Sequence, residues 1–134
     1  MKVVVNRCYG GFGLSDKAMV MIMNRKGLSC FRYGYRPDIK KYIRCESFDN
    51  TDTYRYYVTK DIGYMADELP VDIFFYDCSI DRTDYDLIAV VEELGDEANG
   101  VFAELEVVEI PDNIDWEIDD YDGYETIEEV HMSW

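Results

Sequence analysis

The hydrophobic positions along the chain predict three well-marked elements. Residues 3–5 are consecutive valines, a β-branched run typical of a central strand buried on both faces. Residues 15–27 predict a helix, because Ser15 is a good N-cap and Gly27 follows basic residues at the other end. Residues 84–94 place their apolar side chains along one stripe, which predicts a second long helix.

Weaker patterns complete the fold prediction. Aromatic, β-branched or alternating stretches predict further strands at residues 53–59, 71–76, 101–110 and 114–118. Helical spacing of apolar residues predicts two short helices, at residues 37–43 and 124–134. The sequence therefore predicts an α+β fold in which residues 1–134 form a single compact domain, with a mixed sheet of about four or five strands, two longer helices and one or two short helices.

The predicted strand at residues 114–118 has an acidic side. Apolar and acidic residues alternate there in the order Ile114, Asp115, Trp116, Glu117, Ile118 and Asp119. Successive side chains of a strand point to opposite faces. We therefore expect a half-buried strand whose outer face is anionic.

Length and composition fit one folded domain. The chain has 134 residues, of which 48% are hydrophobic, enough to form a core and to exclude a disordered tail protein. The formal net charge of −16 excludes a protein that coats nucleic acid polymers, since such binding needs an excess of Lys and Arg.

Neither a membrane segment nor a metal site is indicated. The apolar run at the N-terminus ends after three residues, so we expect a cytoplasmic protein that contacts no membrane. The four cysteines contain no Cys-x-x-Cys pair and are scattered at Cys8, Cys30, Cys45 and Cys78. We expect buried, reduced thiols, no metal and no cofactor.

Charge is divided unevenly along the chain. Residues 1–45 contain ten basic and two acidic side chains, a balance of +8, whereas residues 46–134 carry −24. One interpretation is that the two parts pack together and neutralise part of their charge. The other is that some of the cations converge on an anionic ligand.

A glycine-rich loop lies between the first predicted strand and the first predicted helix. Gly10, Gly11 and Gly13 precede Ser15. This order can hold phosphates, because glycines allow close backbone approach and a helix N-terminus carries partial positive charge. The spacing matches neither the P-loop nor the dinucleotide fingerprint, and a tight strand-to-helix turn is the structural alternative.

Basic and aromatic side chains flank this loop and recur about twenty residues later, a combination that grips nucleotide-like ligands. The candidate ligand-binding residues are Asn6, Arg7, Tyr9, Gly10, Gly11, Phe12, Gly13, Ser15, Lys17, Arg32 and Arg36. No catalytic arrangement is indicated, because the one histidine, His131, lies near the chain end without a nucleophile motif. We therefore do not expect an enzyme.

Three segments resemble a family of small proteins encoded by bacteriophages and prophages. They are the run KVVVNRCYGGFGLS at residues 2–15, residues 81–95, and the stretch EVVEIPDNIDWEIDDYDG at residues 106–123. The resemblance implies a phage setting, in which small acidic proteins disarm bacterial defences by sequestering nucleotide signals or by blocking a defence protein.

Two functions follow as hypotheses. The leading one is a non-enzymatic sponge that acts in the host cell and sequesters an anionic, nucleotide-like signalling molecule in the loop at residues 6–15. The alternative is an acidic DNA mimic or protein-binding inhibitor, whose C-terminal carboxylates occupy the basic groove of a defence nuclease or CRISPR effector. We expect either protein to form a homo-oligomer.

Overall fold

The computed structural model describes residues 1–45 and 55–130, which form an α+β architecture. Its elements in chain order are β1 (Lys2–Asn6), α1 (Asp16–Arg25), β2 (Phe31–Arg36), β3 (Lys41–Cys45), β4 (Arg55–Val58), β5 (Met65–Ala66), α2 (Tyr85–Leu94), β6 (Leu105–Glu109), β7 (Trp116–Tyr121) and β8 (Tyr124–Glu129). The predicted fold class is confirmed. The strands outnumber the prediction, and those described form three antiparallel sheets instead of one mixed sheet.

Both long helices form where the sequence predicts them. The Ser15 hydroxyl caps α1 by accepting a hydrogen bond from the Ala18 amide at 3.2 Å. The Asp84 carboxylate caps α2 by accepting from the Leu87 amide at 2.9 Å. Apolar residues of both helices and of β1 form the larger core, which includes Val4, Met19, Ile22, Leu87 and Val90.

Strand β1 is buried from Val3 to Asn6, as predicted for its valines, but it is not central in a sheet. It pairs with β6 alone among the described strands, and Val4 lies opposite Val107. On its other edge the Val4 amide donates to the Arg82 carbonyl at 2.9 Å, and the Asn6 amide donates to Glu125 Oε1 at 2.8 Å. A loop carbonyl and a carboxylate thus satisfy backbone groups that a third strand would otherwise pair.

The four-stranded sheet has the order β4-β2-β3-β5. The predicted helix at residues 37–43 is wrong, because β2 and β3 form a hairpin that places Tyr35 opposite Tyr42. Lys40, with a φ of 54°, lies in its turn. The predicted strand at residues 71–76 is also wrong, since a 3₁₀ turn occupies Val71–Ile73.

Some of the predicted features lie partly outside the described residues. The strand predicted at residues 53–59 is present as β4, whereas residues 53–54 lie outside the described residues. Residues 131–134, including His131, lie outside them too, as does the side chain of Cys78.

The C-terminal helix predicted at residues 124–134 is wrong in its described part, because β7 and β8 form a hairpin. Asp122 and Gly123 make its turn with φ values of 49° and 93°, the left-handed conformations that an Asp-Gly turn adopts. The register places Ile118 opposite Ile127, so that apolar residues share one face.

Two negative findings apply to the described residues alone. No helix among them is long and apolar enough to cross a membrane. No group of three or more potential metal ligands occurs among them. The three cysteines whose side chains are described, Cys8, Cys30 and Cys45, are free and half-buried.

Candidate functional site

The glycine-rich loop is packed closely against two other loops. A Cβ atom added to Gly10 would lie 2.1 Å from the Phe102 Cβ, and one added to Gly123 would lie 2.4 Å from the Gly11 nitrogen. Gly11 itself has a φ of 98°, which favours glycine. These glycines therefore permit three segments of backbone to meet, a structural role in packing that goes beyond the tight strand-to-helix turn considered as the alternative.

The start of α1 is occupied by groups of the protein itself. The Ser15 hydroxyl donates to the Glu97 carbonyl at 2.6 Å, and the Lys17 ammonium lies 3.4 Å from the Glu97 carboxylate. Asp16 places a carboxylate in the first turn, where it complements the helix dipole. The Gly13 carbonyl accepts from the Gly100 amide at 2.9 Å.

Asn6 holds the loops together from within the core. Its Nδ2 donates to the carbonyl oxygens of Cys8 and Gly123, each at 2.7 Å. Its Oδ1 accepts from the amides of Cys8 at 3.2 Å and Glu104 at 2.8 Å. Asn6 is completely buried, so this candidate ligand-binding residue has its hydrogen-bonding groups committed to the fold.

Each arginine among the candidate residues lies beside a carboxylate. Arg7 Nε lies 2.9 Å from Glu106, and its Nη1 donates to the Glu125 carbonyl at 2.6 Å. Arg36, at the end of β2, lies 3.0 Å from Asp38 in the hairpin turn. No contact among the described residues joins Arg36 to the glycine-rich loop.

Arg32 belongs to a partly buried cluster at the start of α1. Its guanidinium lies 3.4 Å from Asp16, and the guanidinium of Arg55 lies 3.8 Å from the same carboxylate. The Tyr57 hydroxyl donates to Asp16. Burial, together with this hydrogen bond, raises the pKa of Tyr57 above its ordinary value. The cluster joins the four-stranded sheet to α1.

Ion pairs also connect the cationic N-terminal third to the rest of the chain. Lys2 lies 2.9 Å from Glu92, and Lys26 lies 2.7 Å from Asp84. These pairs, with those of Arg7 and Lys17, support the interpretation that the uneven charge is neutralised within the fold.

A partly buried ion pair attaches the β7–β8 hairpin to the body. Arg82 donates to both oxygens of Glu125, at 2.6 and 2.9 Å, and its guanidinium carbon lies 3.6 Å from the centre of the Phe12 ring. Glu125 is buried and also accepts a hydrogen bond from the backbone N–H of Asn6. Phe12, a candidate stacking residue, therefore packs against a guanidinium of the protein.

Three exposed rings lie where the loops meet, and we call Tyr9, Phe102 and Tyr121 the aromatic patch. Their exposed fractions are 66%, 71% and 70%. The Tyr9 ring lies edge-on to Tyr121 at 6.5 Å, and 5.3 Å from Tyr124, measured between ring centres. Sequence reasoning included Tyr9 but missed Phe102 and Tyr121, which lie about a hundred residues away in sequence and beside turn signals.

The outward side of the hairpin carries exposed carboxylates, and we call Glu117, Asp119 and Glu128 the acidic face. Strand alternation places them with Tyr121, on the face opposite to buried Glu125. Glu117 lies directly opposite Glu128. Within residues 1–45 and 55–130, no cation forms an ion pair with any of the three. The anionic outer face predicted for residues 114–118 is present.

The comparisons with known proteins add no assignment. No protein-family model matches the chain, and no curated protein or solved structure matches it either. The functional assignment therefore depends on the geometry of this chain.

Proposed function

We propose that this chain is a non-enzymatic binding protein that uses the β7–β8 hairpin to capture a basic partner protein. One observation carries the proposal: Glu117, Asp119 and Glu128 lie together on one exposed side of the hairpin, and no cation of the described residues forms an ion pair with any of them. A partner's Lys and Arg side chains can pair with these carboxylates.

The register of the hairpin supports this role for the carboxylates. Like charges directly opposite each other in a sheet oppose strand pairing, as Glu117 and Glu128 do. The protein retains this unfavourable pair at a solvent-exposed position, where an amide or a lysine could replace either residue. A charge that opposes folding but serves recognition accounts for the arrangement.

The aromatic patch supplies apolar binding surface, which carboxylates alone lack. Specific protein interfaces combine aromatic anchors with a polar rim, because buried rings provide most of the binding free energy. Tyr121 shares the outward face of β7 with Asp119, so both kinds of contact lie on one surface. In the phage setting that the sequence resemblance implies, the partner is a basic DNA-binding groove of a host defence nuclease or CRISPR effector.

Charge reversal with a matched control tests the proposal. In one variant the three residues of the acidic face become lysine. In the control, three exposed carboxylates on other elements become lysine instead: Glu68, Asp72 and Glu93. We expect the wild type and the control variant to bind a basic partner protein that duplex DNA displaces. The acidic-face variant should not bind this partner, although its melting temperature should equal that of the wild type. Retention by the acidic-face variant, or no displacement by DNA, would contradict the proposal.

Capture of an anionic nucleotide-like ligand stays a second proposal, favoured by the exposed Tyr9 ring beside the loop, which can stack on a base. For Arg7 to bind such a ligand, its ion pair with Glu106 must open. A rise in melting temperature with a cyclic nucleotide or ADP-ribose, lost in Arg7→Ala, would support it. No rise across such a panel would contradict it.

A further inference from the structure

We infer that the aromatic patch and the acidic face recognise arginine side chains, so that the partner presents an arginine-rich surface in preference to a lysine-rich one. The inference rests on the proposed function, because it names the chemistry of the partner for the same surface. It follows from how the fold holds its own guanidinium groups.

Three guanidinium groups of the described residues each lie near both an aromatic ring and a carboxylate. The sets are Arg7 with Tyr124 and Glu106, Arg25 with Tyr85 and Asp86, and Arg82 with Phe12 and Glu125. In that order, the guanidinium carbon lies 5.8, 5.8 and 3.6 Å from the ring centre. The shortest nitrogen–oxygen distances to the carboxylates are 2.9, 3.2 and 2.6 Å. A ring face attracts the cation while the carboxylate accepts its hydrogen bonds.

The hairpin surface presents the same two groups toward solvent. Tyr121 and Asp119 are neighbours on the outward face of β7, and the register brings Tyr124 and Thr126 opposite them on β8. Among the described residues, no guanidinium lies over Tyr9 or Tyr121. A ring and a carboxylate, the two kinds of group that hold arginines elsewhere in this protein, are therefore both available here to an arginine of a partner.

The backbone that carries the rings is held in place before a partner arrives. The close contact of Gly10 with Phe102 and of Gly123 with Gly11 fixes the three loops against each other. Asn6 bonds to the backbone on either side of the patch. Pre-organised side chains lose less conformational entropy on binding, which favours recognition by a few rigid rings.

Arginine suits such a surface better than lysine. A guanidinium is planar and weakly hydrated, so it can stack on a ring while donating two hydrogen bonds to a carboxylate. An ammonium group is compact and strongly hydrated, and it gains less from the ring. Carboxylates attract both cations, so the part of the arginine preference that is lost together with the tyrosines reports on the rings and not on net charge.

Binding of two peptides of equal length and charge, oligo-arginine and oligo-lysine, separates these contributions. Fluorescence anisotropy of the labelled peptides gives both affinities. We expect the wild-type protein to bind the arginine peptide about threefold or more tightly than the lysine peptide. The double variant Tyr9→Ala and Tyr121→Ala should lose most of this preference, whereas Tyr9→Phe with Tyr121→Phe should keep it.

Controls locate the preference on the surface. Tyr64→Ala removes a ring that is 60% exposed but lies before β5, and it should leave the preference unchanged. Glu117→Gln with Asp119→Asn should weaken the binding of both peptides. Circular dichroism melting confirms that each variant is folded.

The outcomes distinguish the two proposals. Equal binding of both peptides by the wild type, or a preference that is undiminished by loss of both tyrosines, would overturn the arginine inference and leave the proposed function standing. Failure of both peptides to bind would overturn the proposed function, and the inference with it.

Discussion

Replacement of Asn6 by alanine tests whether this buried side chain is part of the scaffold or of a ligand site. The side chain makes two hydrogen bonds as donor and two as acceptor, all with backbone groups of three separate segments. Alanine removes all of them and leaves two partly buried carbonyl oxygens and two partly buried amides without this partner. The backbone N–H of residue 6 can still bond to Glu125.

The expected loss follows from these bonds. Each hydrogen bond contributes about 0.5–1.5 kcal/mol net, so removal of the set costs roughly 2–6 kcal/mol. A domain of ordinary stability unfolds with about 5–15 kcal/mol in total. We therefore expect Asn6→Ala to lower the melting temperature by about 8 °C or more, or to prevent folding altogether.

Chemical and thermal denaturation followed by circular dichroism measure this loss. Asn113→Ala is the matched control, because Asn113 is exposed in the loop before β7 and should change stability by less than about 0.5 kcal/mol. A similarly small change for Asn6→Ala would refute the structural role. Asn6 would then return to the set of residues available to a ligand.

Three further changes probe the loop, the α2 cap and a thiol. Gly10→Ala should cost about 1–3 kcal/mol in urea unfolding, because its methyl would lie 2.1 Å from a facing carbon, whereas Gly13→Ala, 3.9 Å from its nearest atom, should cost less; equal costs would contradict this packing. Burial raises the pKa of Asp84, but hydrogen bonds from Lys26 and a helix amide outweigh it and lower that pKa overall. The ionised form therefore stabilises the fold above about pH 4, and the stabilisation is lost as pH falls through the depressed folded pKa. The melting-temperature deficit of Asp84→Asn should accordingly shrink in acid, and a deficit independent of pH would contradict this linkage. Burial raises the pKa of Cys30 to about 11, so iodoacetamide at pH 8 should modify it far more slowly than a cysteine peptide, as mass spectrometry would show; equal rates would argue that the thiol is accessible.

The helices were predictable because local signals determine them. Ser15 acts as the N-cap of α1, and Gly27, with a φ of 76°, follows its C-terminus as the sequence indicates. The apolar stripe of α2 faces the core, with Leu87, Val90 and Val91 buried. Periodicity and capping act within a few residues, so sequence alone identifies them.

The C-terminal hairpin was missed because its apolar residues are spaced as in a helix. Tyr124, Ile127 and Val130 recur at intervals of three, whereas a strand places residues three apart on opposite faces. The Asp122-Gly123 pair is the stronger signal, since an Asp-Gly turn between alternating residues favours a hairpin. Tertiary pairing with β7 then decides the conformation.

The candidate site could be predicted only in part, because ion pairs between distant residues are not visible in a sequence. Arg7 and Lys17 are cations beside a glycine-rich loop in the sequence, and in the fold they lie beside Glu106 and Glu97, about eighty or more residues away. The anionic side of β7 was predicted correctly, since strand alternation is a local property.

The alternation along β8 also separates the side chains that attach the hairpin from those that can be substituted freely. Glu125 points inward and fastens the hairpin to Arg82, whereas Thr126 and Glu128, its neighbours on the other face, contribute nothing to that attachment. Substitutions at Thr126 and Glu128 can therefore accumulate while the hairpin stays attached. The chemistry of this exposed surface is thus separable from the contacts that position it.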